Sequence, residues 1–267
     1  MWQAAGGPLS RLHLDGDIMC LSTLLSLLRP TLPGKGLAMA TYRPADLDAL
    51  RIDADRDGFW YVWGWRNETD PRYIPMVRDW LPVADKTPPR YLLLGNEPNA
   101  EEPYGSTFHP DGAAWWCKAF ELQYPGTVMV VGNVSADDWF GGGCDGVWWL
   151  TQFLRTYQEL WDRPFSGVLG CHLYIDDNLD YAKYEMQRYA TLLDDWDGEL
   201  WLTEFAMAVD PAQPKLFKKA LLMARDYFTR IAVYTNEQDG GPSSLPFDVD
   251  LVPGGVLSEI GEVYARF

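Results

Sequence analysis

The chain has 267 residues, a formal charge of −16 and 47% hydrophobic residues. So acidic a protein repels polyanions, which excludes nucleic acid and anionic membrane surfaces as partners and leaves a neutral or cationic ligand as the expectation. The apolar content is enough for one large core, and no apolar run is long enough to span a bilayer.

Residues 1–34 form an N-terminal extension to which the sequence attaches no role. Residues 1–18 do not resemble a signal peptide, and MCLSTLLSLL (19–28) reads as a helix without the basic flank of a secretory leader, so the compartment is left unassigned. From residue 36 onward, eight short apolar runs appear: 36–41, 59–65, 73–77, 91–98, 128–133, 167–174, 200–205 and 231–236. Runs that are apolar at every position suit strands covered on both faces. Helical spacing fills the gaps at 113–122, 146–161, 180–196 and 214–230, and 256–267 closes the chain. Strands alternating with helices predict parallel βαβ units, and eight of them predict a single-domain α/β fold, a (β/α)8 TIM barrel over 35–267. The link between the second and third runs, 66–72, is too short for a crossover helix, which needs about a dozen residues, so a shortened connection is expected there.

Two segments raise the functional question. YLLLGNEPN (91–99) ends an apolar strand on Glu97, and ELWLTEFAM (199–207) carries Glu204 at the end of another. In such a barrel the strand C-termini line the concavity where chemistry occurs. Two carboxylates sharing one pocket suit glycosidic bond cleavage: one, protonated, assists the leaving oxygen, and the other, ionised, attacks the anomeric carbon or activates water.

The motifs GNEPN and LTEF, with HLY between them, resemble those of the clan A retaining glycoside hydrolases. Together with KGLAMATY (35–42), FWYVWGW (59–65) and YIPMV (73–77), they are most similar to glycoside hydrolase family 128, whose members act on β-1,3-glucans. The resemblance implies Glu97 as acid/base, Glu204 as nucleophile, Asn96 on the sugar 2-hydroxyl, Tyr174 hydrogen-bonded to the nucleophile and His172 beside it. It also implies a retaining β-1,3-glucanase acting on a polysaccharide or oligosaccharide, without cofactor; the alternatives are a clan A hydrolase of another β-glycan and a non-catalytic carbohydrate-binding protein that retains the cleft. A monomer is expected. The chain departs from the family at Gly95 and Asn99, where Phe and Asp are common, and at Arg78, where the family places Trp.

Weaker signals surround these motifs. Asn67, Asn133 and Tyr234 lie at or beyond strand ends and are candidate hydroxyl-binding residues. Trp63, Trp65 and Trp139 are candidate sugar-stacking surfaces, with Trp65 and Trp139 preferred because they adjoin loops. DADRDG (53–58) copies half of a calcium loop, but position twelve is Gly64, so it reads as a solvated turn and no metal is expected. Cys20, Cys117, Cys144 and Cys171 form no CxxC pair; a Cys117–Cys144 bridge is permitted, with buried free thiols as the default.

Overall fold

The computed structural model describes residues 34–40, 43–78, 86–100, 105, 108–136, 143–207, 213–235 and 251–267. The N-terminal extension up to residue 33, its expected helix and Trp139 lie outside the described residues.

Eight strands form the sheet: β1 (Gly34–Ala38), β2 (Phe59–Tyr61), β3 (Met76–Val77), β4 (Tyr91–Leu94), β5 (Val128–Ser135), β6 (Val168–Ile175), β7 (Glu199–Met207) and β8 (Arg230–Tyr234). Their order is β2-β1-β8-β7-β6-β5-β4-β3, with every neighbouring pair parallel. The two ends meet at Trp60, whose N–H donates to the Arg72 carbonyl at 3.0 Å and whose carbonyl accepts from Ile74 N–H at 2.9 Å. This contact brings the sheet round into a (β/α)8 barrel.

The helices are α1 (Ala45–Ala49), α2 (Pro110–Gln123), α3 (Gly146–Trp161), α4 (Leu179–Ala190), α5 (Pro214–Ala224) and α6 (Glu259–Arg266). α3 shows why these segments are helical. Asp145 caps it by accepting from Trp148 N–H at 2.8 Å, and Asp162 ends it in a left-handed conformation, φ 50°. Between those ends Trp149, Leu150, Phe153 and Tyr157 make one buried stripe. Each such apolar side chain contributes about 1.5–3 kcal/mol. Residues 62–75 between β2 and β3 hold no helix. The sequence reading ran β2 on to residue 65 and missed α1. The strand ends early because the chain turns at Gly64, which has φ 144°. The five residues of α1 are too few to show a period.

Strand alternation divides the core into two layers. Phe59, Tyr61, Met76, Leu93, Val130, Trp201 and Ala232 fill the barrel, whereas Leu92, Val131, Leu169, Leu202 and Phe205 face the helices. Gly36 leaves room for the Phe59 ring, since a Cβ there would lie 2.4 Å from it. At the N-terminal end, the Arg230 guanidinium lies over Trp201, Tyr91 and Phe59, with its carbon 4.5, 4.9 and 5.7 Å from their ring centres.

Two bulges interrupt the alternation where function is expected. Register with β6 skips a residue between Gly132 and Val134, and register of β7 with β8 skips between Leu202 and Phe205. Leu202 and Phe205 both face outward although three positions apart, so the extra residue turns Glu204 into the barrel.

Candidate active site

Glu97 stands one turn beyond β4, held by backbone on both sides. Gly95 takes φ 82°, and Glu97 itself takes φ 45°, a left-handed conformation unusual for a side chain of its size. Its N–H donates to the Asn133 carbonyl at 2.9 Å, and its carbonyl accepts from Ala100 N–H at 2.9 Å, closing a turn that Pro98 stiffens. Asn99 then ties this turn to the end of β5. Its amide donates to the carbonyls of Ser135 (2.9 Å) and Cys144 (2.8 Å), and its oxygen accepts from Ser135 N–H (2.9 Å).

Glu204 projects from the β7 bulge and is 3% exposed; Glu97 is 8% exposed. His172 on β6 is fully buried and lies between them. Its Nδ1 is 3.0 Å from Glu97 Oε1, and its Nε2 is 3.5 Å from Glu204 Oε1. Tyr61 OH lies 2.9 Å from Glu204 Oε1, and Tyr174 OH donates to Glu204 Oε2. Trp63 Nε1–H donates to Asn96 Oδ1 at 3.0 Å. The rings of Trp63 and Tyr174 meet Tyr234 edge-on at 5.7 and 6.0 Å, which places all three beside the carboxylates.

The electrostatics follow from burial and crowding. Burial pushes the Glu204 carboxyl above the usual carboxylate range and the charge of Glu97 adds to this; His172, Tyr174 and Tyr61 oppose it only in part. Burial disfavours the charged form of His172, but the carboxylates of Glu204 and Glu97 outweigh it and raise the imidazole above its ordinary value. Burial, reinforced by Glu204, holds Tyr61 and Tyr174 well above the ordinary phenol range, so both keep their protons. The donors on Glu204 therefore do not hold it below its ordinary range, as donors alone would suggest; burial dominates.

Two acids, one imidazole and two phenols at the strand C-termini make a site for proton transfer and attack at an electrophilic carbon. Among the described residues no three His, Cys, Asp or Glu side chains are grouped to hold a metal ion, and no helix is long and apolar enough to cross a membrane. In the calcium-like segment, Ala54–Arg56 form a 3-10 turn, while Asp57 pairs with Arg90 and Arg230.

The family model described as glycosyl hydrolase catalytic core matches residues 36–264. The chain belongs to this family. No curated protein matches it. Among solved structures it is similar to a GH128 subgroup II endo-β-1,3-glucanase from Pseudomonas viridiflava, with 23% identity over 88% of this chain and 97% of that one and a TM-score of 0.61. It is similar to a GH128 subgroup III curdlan-specific exo-β-1,3-glucanase from Blastomyces gilchristii, solved with glucose, at 20% identity over 88% and 100% of the chains and a TM-score of 0.61. A GH128 subgroup VII oligosaccharide-binding protein from Cryptococcus neoformans shares 17% identity over 89% and 94%, with a TM-score of 0.59. These likenesses show a common barrel.

In this glycosyl hydrolase core the structure brings together Glu97, Glu204, Asn96, His172, Tyr174 and Tyr234. Three other expected residues lie elsewhere. Trp65 packs on Tyr124 at the end of α2, with ring centres 5.6 Å apart. Asn67 is exposed and accepts from Lys86 Nζ at 2.7 Å. Asn133 is fully buried, and its amide donates to the Gly95 carbonyl at 3.0 Å while its oxygen sits where a Cβ on Gly170 would be 2.1 Å away. The β5 bulge turns it sideways into the fold, so it braces the Glu97 turn instead of reaching a ligand. Tyr61 was missed, although it shares the inward parity of Phe59 two residues earlier. Cys117, Cys144 and Cys171 are free thiols.

Proposed function

We propose that residues 35–267 form the catalytic domain of a retaining glycoside hydrolase that cleaves β-glucan, with β-1,3 linkages as the substrate. The observation that carries this reading is the contact of His172 with both Glu97 and Glu204. One imidazole touching both carboxylates supports their acting on a single anomeric centre. The names of the neighbouring β-1,3-glucanases support the linkage.

In the first step a Glu204 oxygen bonds to the anomeric carbon as the glycosidic bond breaks, and the leaving oxygen takes the Glu97 proton. In the second, Glu97 takes a proton from water, the water oxygen bonds to the same carbon, and Glu204 departs as carboxylate. Asn96 holds the 2-hydroxyl, and Trp63 and Tyr234 wall the sugar. His172, raised by its two acidic neighbours, offsets their mutual repulsion.

The test is product analysis on linear β-1,3-glucan oligomers. Glu204→Gln is expected to abolish turnover. Glu97→Gln is expected to lose roughly 10²–10⁴-fold on glucan and far less on aryl glucosides whose leaving group needs no acid. Inverted products by NMR, or full activity in either variant, would overturn the assigned roles. Binding without hydrolysis by the unmodified protein would instead make it a carbohydrate-binding relative.

A further inference from the structure

Tyr61 is buried, belongs to the barrel-filling layer and presents its single O–H proton to two acceptors at the same distance. One is Glu204 Oε1 at 2.9 Å; the other is the Thr203 carbonyl, also at 2.9 Å. One proton cannot serve both fully. Thr203 is the residue that the β7 bulge adds, and the register with β8 passes from Leu202 to Phe205 without it. The β6 register likewise passes from the Leu202–Cys171 pair to the Glu204–His172 pair. Thr203 is thus the residue that both registers skip at the distortion that aims Glu204 inward, and its carbonyl accepts from the phenol that serves Glu204.

We propose that Tyr61 is a positioning residue for Glu204, its proton swinging between the Glu204 carboxylate and the Thr203 carbonyl as the charge on Glu204 comes and goes. This rests on the reading of Glu204 as nucleophile. Ionised Glu204 is the stronger acceptor and takes the proton. When Glu204 forms its bond to the anomeric carbon, its charge is lost and its oxygens become weak acceptors, so the phenol rotates to Thr203. When water releases the sugar and Glu204 leaves as carboxylate, the phenol rotates back. Tyr61 neither gains nor loses a proton over the cycle, and the burial that keeps it protonated is a condition of this behaviour. A buried polar atom stays satisfied throughout, which avoids the cost of an unpaired carbonyl in one state and an unpaired carboxylate in the other.

The groups facing Glu204 are Tyr61 from β2, Glu97 beyond β4, and His172 and Tyr174 from β6, with Tyr234 from β8 next in line. Removing Tyr61 leaves the charges of these groups in place and takes one proton donor from both Glu204 and the Thr203 carbonyl. The experiment compares Tyr61→Phe with Tyr264→Phe, a distant buried phenol that donates to Gly36 O and lies 3.1 Å from Ile231 O. Two quantities are read: the acid limb of kcat/KM on glucan, and the NMR titration of the Glu204 carboxyl carbon in ligand-free protein, assigned through Glu204→Gln.

Tyr61→Phe is expected to move both to higher pH by about one unit and to lower kcat/KM about tenfold at the former optimum. Tyr264→Phe is expected to lower thermal stability without moving either. Should Tyr61→Phe not fold, 3-fluorotyrosine placed at position 61, a stronger donor of nearly the same shape, is expected to move both to lower pH. A folded protein with Tyr61 replaced or fluorinated whose limb and carbon titration both stay at the unmodified values would overturn the proposal. If the unmodified protein releases no sugar, the glucanase reading fails, and the carbon titration still decides the Tyr61–Glu204 link.

Discussion

The two sides of the barrel are built differently. β5, β6 and β7 are eight, eight and nine residues long and pair along nearly their whole length. β2 and β3 have three and two residues, with no helix between them, and meet only through Trp60 and its neighbours. Glu204, His172 and Tyr174 rise from the long strands, where the backbone ladder sets their positions. Glu97 and Asn96 stand on a turn beyond a four-residue strand, where side chains do that work: Asn133 and Asn99 beneath, Trp63 alongside. One carboxylate is held by a strand ladder, the other by two backbone hydrogen bonds of its turn, with amides beneath it and an indole on the neighbouring Asn96. Substitutions on the Glu97 side should therefore change chemistry before they unfold the protein.

The strongest way to break this contrast is Trp60→Ala. The indole is fully buried, packs on Tyr73 at 4.8 Å and sits where the barrel closes. Its loss is expected to cost about 3–5 kcal/mol, measured by denaturant unfolding. Hydrogen exchange in the variant should rise first at the amides of residues 60 and 74. Uniform exchange across β5–β7 as well would show that the short arc is no weaker than the rest.

Asn99→Ala comes next. It leaves the carbonyls of Ser135 and Cys144 and the amide of Ser135 without this partner, at about 2–3 kcal/mol. Because the turn carrying Glu97 loses its tie, kcat is expected to fall with little change in KM. A variant that loses stability alone would place Asn99 outside the chemistry.

The smallest effect is on stability against pH. The folded value of His172 lies above 6.5, so its stabilising share is complete below about that pH and is lost as pH rises through the folded value. Glu204 is raised above 4.5, so its folded form favours the proton, and its share too is lost as pH rises through its folded value. Both contributions slope the same way. The melting temperature of the unmodified protein, less that of His172→Gln, should decline as pH climbs above about 6.5; a flat difference would contradict the shift.

How far the sequence was legible follows from the same contrast. The eight apolar runs became eight strands because a barrel strand is covered on both faces and leaves a continuous apolar signature. The range 146–161 was read to the residue because α3 has a wide stripe and a capping Asp145. Glu97, Glu204, His172 and Tyr174 stood out as polar groups in apolar runs. Tyr61 did not, because a phenol within FWYVWGW looks like core until the fold shows what its hydroxyl meets. Asn133 and Trp65 were misplaced for a related reason: a bulge and a turn at Gly64 redirect side chains that plain extrapolation of the strand would have aimed at the mouth. Single-residue distortions have no periodic trace.

The left-handed backbone at Glu97, φ 45°, has an evolutionary consequence. Asparagine adopts that conformation far more readily than glutamate, whose strain there costs about 1 kcal/mol. Glu97→Asn should therefore shed that strain, at the cost of the carboxylate contact with His172 and, on the proposed roles, of roughly 10²–10⁴-fold in turnover of glucan. On the proposed roles that strain is kept for catalysis alone, so a lineage released from cutting sugar would be free to trade Glu97 for a residue at ease in the left-handed conformation.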